Sequence, residues 1–500
     1  MSLPSGLINF GEWLPDLPAL NNPGMVLVQN ALPTVTSYTQ VQEPEYRGGA
    51  MGERVRNAHW CISGGGIETA VFAGTENSLY RQSGTLQWDN VDKTGGYGDS
   101  IERWDLAAFG RRMIAVTNGQ VPQYYDVGTS TNFADLPNAP SATCVGLIRD
   151  FVMLGDIDNL GENYIQWSGF NNSEAWTPSR STQSDFQPLA SNGGRVQAIT
   201  SGEVGYIFLE NSVYRAVYVG PPTIFRFDEF APGRGTFAPK SVIRIGPYIY
   251  YYDSAGFYRL DARNGQFTSI GHNKVDRWFK REVPPPCVRD MQVSVDQVRK
   301  FVVWAFCLDE GQELYTRLLV YHYELNRWCL ITVDVDTIAS LPAPSASLDD
   351  LDTILSPGDD AMGDAIPANV DEQSISVDSE LYSGGTSDLI IFSPNHVFGA
   401  LSGGTALEAR FLTAEYGAFM NDRLYTNRQR MYIGSADGVP LAELSIMYRD
   451  NLTDTPSITN PHAMNQNGVT EARRRARFQQ FRLDVSDGFD DVLGLEVFQA

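Results

Sequence analysis

The chain has 500 residues, 42% of them hydrophobic, and sets 37 Lys plus Arg against 60 Asp plus Glu, a formal net charge of −23. That balance excludes a protein that wraps nucleic acid, which needs clustered cations against phosphate, and the hydrophobic share excludes a disordered chain. No run of about 18 consecutive apolar residues occurs, so no membrane span is expected.

The N-terminus, MSLPSGLINFGEWLPDLPAL, lacks a basic segment followed by an apolar one, so no secretory leader is expected. Cys61, Cys144, Cys287, Cys307 and Cys329 are odd in number and free of CxxC spacing. They fit folding in a reduced cytosol better than a disulfide framework or a zinc site. Residues 1–50 read as an arm with one good strand, MVLVQNAL. Residues 25–38 are expected to be the strand that closes a ring of blades. An extended arm lying on a partner is the other reading of this stretch.

Residues 51–332 carry a loose repeat: an apolar strand, a small turn, then a second strand that often contains Tyr. Copies start at Ala70, Arg112, Arg149, Gly202, Gly246 and Val298, about 46 residues apart, and a four-stranded propeller blade takes about 40–50. Asn118-Gly119, Asn211-Ser212 and Asn264-Gly265 supply turn residues that tolerate positive φ. Within one copy Ile207 and Leu209 alternate with Tyr206 and Phe208, and FVVWAF in a later copy is apolar on both faces. Both patterns suit a strand sandwiched between neighbouring blades. One short helix is expected at 273–283, ended by three prolines.

Residues 333–386 read as an acidic insert, rich in Ser, Pro and Asp, with no Lys or Arg. Asp349, Asp350, Asp352, Asp359, Asp360, Asp364, Asp371 and Glu372 are candidates for an acidic channel lining or docking loop; a solvated surface loop is the plainer reading. Residues 387–403 read as the last strand pair of the propeller, and 404–500 as an antiparallel β-sandwich. Arg473, Arg474, Arg475 and Arg477 form the densest basic cluster and are candidate assembly contacts, unless they are simply a solvated loop face. The fold class expected is therefore all-β: a six- or seven-bladed β-propeller with an acidic insert and a C-terminal antiparallel β-sandwich.

The chain contains no phosphate-cradling GxxxxGK[ST], no HExxH and no GxSxG elbow. His59, His272, His322, His396 and His462 are isolated in sequence and read as structural. Asp156 and Asp158 look like a fragment of a calcium loop without its bidentate Glu. No catalytic, cofactor-binding or metal-binding residue is assigned, no cofactor is expected, and an enzyme is disfavoured.

Four stretches carry a family resemblance. They are MVLVQNALPTVTSYTQV in the arm; residues 193–260, where two aromatic hairpins flank a G-R-G-T segment at Gly233 to Thr236; RKFVVWAFCLDEGQELYTRLLVYHYELNRWCLI; and the terminal RRRARFQQFRLDVSDGFDDVLGLEVF. Together they resemble the tail nozzle or hub proteins of short-tailed bacteriophages, also called packaged-DNA stabilisation or tail accessory proteins. The acidic insert has no counterpart in that resemblance. The resemblance implies a structural virion protein, assembled in the host cytoplasm and residing in the tail. It implies a homo-hexameric ring under the portal and adaptor, in contact with tail fibres or spikes. Double-stranded DNA would pass through it without sequence-specific binding, and an acidic channel would let DNA slide without sticking. Two other readings stand beside it. One is a carbohydrate-binding or carbohydrate-cleaving propeller of a receptor-binding tail protein, with Trp167, Trp176 and Trp304 as candidate pocket aromatics. The other is a host-encoded propeller scaffold.

Overall fold

The computed structural model describes residues 7–62, 69–84, 86–98, 101–342, 387–417, 422–435 and 438–499. Every repeat copy falls on the second strand of a four-stranded antiparallel blade, each a separate sheet except blade 6, which continues into a larger one. Thr69–Thr75, Arg112–Val116, Phe151–Ile157, Val204–Leu209, Tyr248–Asp253 and Phe301–Phe306 hold that place in blades 1 to 6, and Ser387–Phe392 holds it in blade 7. The innermost strands are Val55–Ile62, Asp105–Phe109, Ala142–Ile148, Val196–Thr200, Ile243–Ile245, Gln292–Asp296 and Thr337–Pro342. Each meets its neighbours around one axis, with the step from blade 4 to blade 5 made through the single turn Pro239–Ser241. The last innermost strand packs against the first, so the fold is a closed seven-bladed β-propeller.

The apolar alternation explains how the blades stack. Ile207 and Leu209 join Phe151 and Trp167 in the core between blades 3 and 4, whereas Tyr206 and Phe208 join Ile249 and Tyr251 between blades 4 and 5. A strand buried on both faces must be apolar at every position, and each such side chain contributes about 2 kcal/mol of burial. Blades 1 and 2 are wedged by Trp104, whose indole N–H donates to the Thr75 carbonyl at 2.8 Å. Only glycine fits opposite it, since a Cβ on Gly74 would lie 2.3 Å from the indole ring.

The ring is closed by a strand other than the expected one. Glu45–Ala50 pairs with Val397–Ala400 as the fourth strand of blade 7. The apolar segment at 25–38 instead supplies Leu27–Gln29, which lies between Arg327–Val335 of blade 6, in parallel, and Ala409–Leu412, antiparallel. Burial decides the assignment. Val28 is fully enclosed and needs cover on both sides, while the half-exposed EYRGGA suits an outer edge.

Blade 6 thereby runs on into an 11-stranded sheet through Ala409–Leu412, Phe478–Asp487 and Leu441–Arg449. A second sheet pairs Leu424–Gly434 with Asp491–Gln499 and takes in the arm strands Leu7–Asn9, Tyr38–Gln40 and Ala31–Pro33. Phe10, Trp13, Phe411, Phe481 and Leu495 are buried in one core cluster with blade 6 residues Trp304 and Trp328.

Three further expectations are corrected. The acidic insert was drawn from residue 333, but Arg327–Val335 is the outer strand of blade 6 and Thr337–Pro342 the innermost strand of blade 7. Asp334 and Asp336 made this stretch look like a loop; Asp336 is in fact buried, where it bonds His396 and accepts from the Val55 N–H at 3.4 Å. Cys287 and Cys307 form a disulfide, because the short helix that carries Cys287 folds back on the second strand of blade 6 and brings their Cα atoms within 5.4 Å. The helix expected at 273–283 is Asp276–Glu282 (α1), but the prolines start a second helix, Pro285–Asp290 (α2), rather than only ending the first.

Candidate functional site

The starts of the innermost strands converge on one end of the propeller axis. Arg54 and Arg56 lead into blade 1, Arg103 into blade 2, and Lys240 sits on the turn before blade 5. Arg289 and Asp290 end α2 ahead of blade 6. Arg56, Arg103, Lys240 and Arg289 line a cavity of about 500 Å³, which adjoins a second of about 410 Å³ through shared Arg103 and Arg289. The rim is held in place by side-chain bonds between blades. Thr337 donates to Gln292 at 2.6 Å, Gln292 donates to the Ile338 carbonyl at 2.9 Å, and Asn57 donates to the Trp104 carbonyl at 3.0 Å.

Charge in this cavity is only partly balanced. Arg56 pairs with Glu76 at 2.6 Å and Arg103 with Asp105 at 3.5 Å. Lys240 donates to the Arg56 carbonyl at 3.4 Å, and Tyr315 donates to the Asp290 carbonyl at 2.7 Å. Among the described residues, Arg54, Lys240 and Arg289 make no ion pair. Arg54 is 8% exposed and its guanidinium carbon lies 5.9 Å from the Tyr315 ring centre. Dehydration pushes the Lys240 ammonium down to about 8; Asp290 opposes this, and Arg103, Arg56 and Arg54 reinforce it. Burial raises the Asp105 carboxyl against the pull of Arg103. The arrangement offers an anion several hydrogen-bond donors.

The sequence-derived candidates lie elsewhere. Asp349, Asp350, Asp352, Asp359, Asp360, Asp364, Asp371 and Glu372 are outside the described residues; their stretch leaves and rejoins blade 7 at the paired Pro342 and Ser387. That junction is the end of the innermost strand away from the axial cavity. In the basic cluster, Arg474 stacks 3.4 Å from the Tyr448 ring centre and the Arg477 backbone N–H donates to Asp450 at 3.1 Å. Arg473 and Arg475 are exposed, Arg473 beside Glu471. Trp167, Trp176 and Trp304 are 2%, 2% and 0% exposed, so they present no stacking surface to a glycan. Asp156 accepts from Thr143 at 2.8 Å and lies 3.6 Å from Arg195. Burial holds His59 down at about 4. Among the described residues no group of three or more His, Cys, Asp or Glu could hold a metal ion, and no helix is long and apolar enough to cross a membrane.

The axial cluster was missed because its cations are scattered from residue 54 to residue 289 and form no local motif. A signal was present. Arg56, Arg103, Lys240 and Arg289 each stand shortly ahead of a repeat copy, where an innermost strand begins.

No family model and no curated protein matches the chain. Among solved structures the chain has similarities at low identity. The extracellular domain of the one component system BT4673 from B. thetaiotaomicron is 9% identical with a TM-score of 0.42, covering 85% of this chain and 48% of that one. This chain thus spans about half the length of that domain. The Neurospora crassa Pan2 WD40 domain is 8% identical with a TM-score of 0.37, covering 61% of this chain and 91% of that one.

Proposed function

We propose that the chain is a structural protein of a short-tailed phage virion. In this reading it is a tail nozzle subunit that forms a ring below the portal and adaptor, retains packaged DNA and conducts it during ejection. Beyond the sequence resemblance, the observation that carries this reading is the 11-stranded sheet that fuses blade 6, the N-terminal arm and the C-terminal sandwich. A continuous hydrogen-bonded sheet across two bodies suits a part that must hold its shape under load. The net charge of −23 fits a conduit that DNA slides past. The glycan-binding alternative loses its candidate aromatics to the core.

Sizing and electron microscopy of the purified chain test the proposal. The expected result is a ring, a hexamer in the simplest case, with a central opening of duplex width. A monomer with measurable glycan affinity overturns it. Lys substituted at Asp359 and Asp360 is expected to slow DNA ejection if the acidic stretch faces the channel.

A further inference from the structure

The axial cavity runs against the charge of the whole molecule. In a chain of net charge −23, a cation has no shortage of carboxylates to meet. Yet Arg54, Lys240 and Arg289 gather at one end of the propeller axis without an ion pair among the described residues. Arg54 is buried and Lys240 half-buried, where a charge is nearly always paired because an unpaired one away from water is costly, while Arg289 is exposed in the cavity lining.

The donors are also unmatched. Arg54 is more than nine-tenths buried. The Nε groups of Arg54, Arg56 and Arg103 are buried with no acceptor. Two carboxylates share the lining: Glu102, which is exposed and makes no ion pair among the described residues, and Asp290, whose backbone carbonyl accepts from Tyr315 while its charge partly offsets that of Lys240.

We infer that the axial cavity is an oxyanion site, which takes a phosphate group, free or as a small monoester, between Arg56, Arg103, Lys240 and Arg289. A tetrahedral oxyanion supplies acceptors to several donors at once, and the guanidinium fork matches it in a bidentate way. The cavities of about 410 and 500 Å³ are large enough for a monoester as well as the free ion. The walls come from different blades locked by the Asn57, Gln292 and Thr337 bonds, so the donors are held in place before the anion arrives.

Lys240 gives the site a pH signature. The charged groups around it are Arg54 and Arg56 from blade 1, Glu102, Arg103 and its partner Asp105 from blade 2, and Arg289 and Asp290 from α2, with Tyr315 behind Arg54. An anion among them favours the protonated ammonium, so binding takes up protons near pH 8 and weakens as pH rises beyond it.

Titration of the full-length chain with inorganic phosphate, followed by calorimetry and by melting temperature, tests the inference. Wild type is expected to show saturable binding and a rise in melting temperature. Arg103→Gln and Lys240→Gln should each weaken binding about tenfold or more, while Arg475→Gln leaves it unchanged. If Lys240→Gln fails to fold, wild type at pH 7 against pH 10 replaces it, with weaker binding expected at pH 10. Parallel titration with a nucleoside monophosphate separates the sources: tighter binding than phosphate assigns the site to an ester, equal or weaker binding to the free ion. The inference is overturned if phosphate gives no saturable binding, if acetate at equal ionic strength does as well, or if the variants bind like wild type. This outcome is independent of whether the chain forms a nozzle.

Discussion

Asp16 of the N-terminal arm caps a helix that lies 260 residues away: its carboxylate accepts the Trp278 backbone N–H at 2.7 Å. The same carboxylate accepts the Arg277 N–H at 3.1 Å. Helix α1 has no cap of its own, since the residue before it is Val275 and makes no side-chain bond. The arm supplies what the local sequence lacks. Trp13 packs edge-on against Trp278 at 5.0 Å and reinforces the joint.

Asp16→Ala should therefore cost about 1–2 kcal/mol in denaturant unfolding, the usual loss on removing a helix cap. Because Trp13 and Trp278 sit at the joint, their fluorescence should change in the native baseline as well. An unchanged midpoint would show that the arm does not cap the helix in solution.

Asp276 gives a pH dependence with a definite sign. Burial raises its carboxyl to about 6, although the Phe257 N–H donated to it at 3.0 Å pulls the other way. A carboxyl whose folded pKa lies above its unfolded value near 4 binds its proton more tightly when folded. The stability it contributes is complete below about pH 4 and is lost as pH rises through about 6. Asp276→Asn keeps the acceptor and removes the charge. It should raise stability at pH 7 by about 2 kcal/mol and flatten the wild-type decline between pH 4 and pH 6. Parallel pH profiles for the two proteins would refute this account.

Ring closure rests on a close approach at Gly399. It stands opposite Tyr46, and a Cβ there would lie 2.6 Å from the Glu45 carbonyl oxygen. Gly399→Val should push the closing strand off blade 7 and cost about 2–3 kcal/mol. Limited proteolysis should then cut within residues 45–50. Resistance equal to wild type would mean that the strand tolerates the added bulk.

The Cys287–Cys307 bond closes a loop with a sequence separation of 20. A loop of that length stabilises by about 3 kcal/mol when oxidised. Cys287→Ser should lower the melting temperature without reductant and match wild type with it. Identical melting in both conditions would show that the bond does not form.

The second strands of the blades were legible in the sequence because both of their faces are buried, and unbroken apolar runs such as Phe301–Phe306 stand out. The first and fourth strands were not. Asp185–Pro188 is exposed throughout and Ile243–Ile245 is half-exposed at three residues, too short and too polar to show a period. The arm misled for a related reason. Leu27–Gln29 has the apolar content expected of a closing strand, but Glu45–Ala50, which closes the ring, carries none of that signal. The axial cations were hidden because the ring brings together residues that no local motif joins, and pairing in three dimensions decides which remain uncompensated.

The pairing of Leu7 with Glu496 joins the first described strand to the last, 489 positions apart. During synthesis Leu7–Asn9 emerges well before Asp491–Gln499, which can reach it only after all the blades between them exist. Until then Leu7–Asn9 is an unpaired edge, just as Glu45–Ala50 waits for Val397–Ala400. Folding is thus dominated by contacts between distant parts of the chain, which slows it and leaves sticky edges exposed along the way. Loss of Asp491–Gln499 would take a partner from Leu7–Asn9 as well as from Leu424–Gly434, so damage at this strand is felt in the arm.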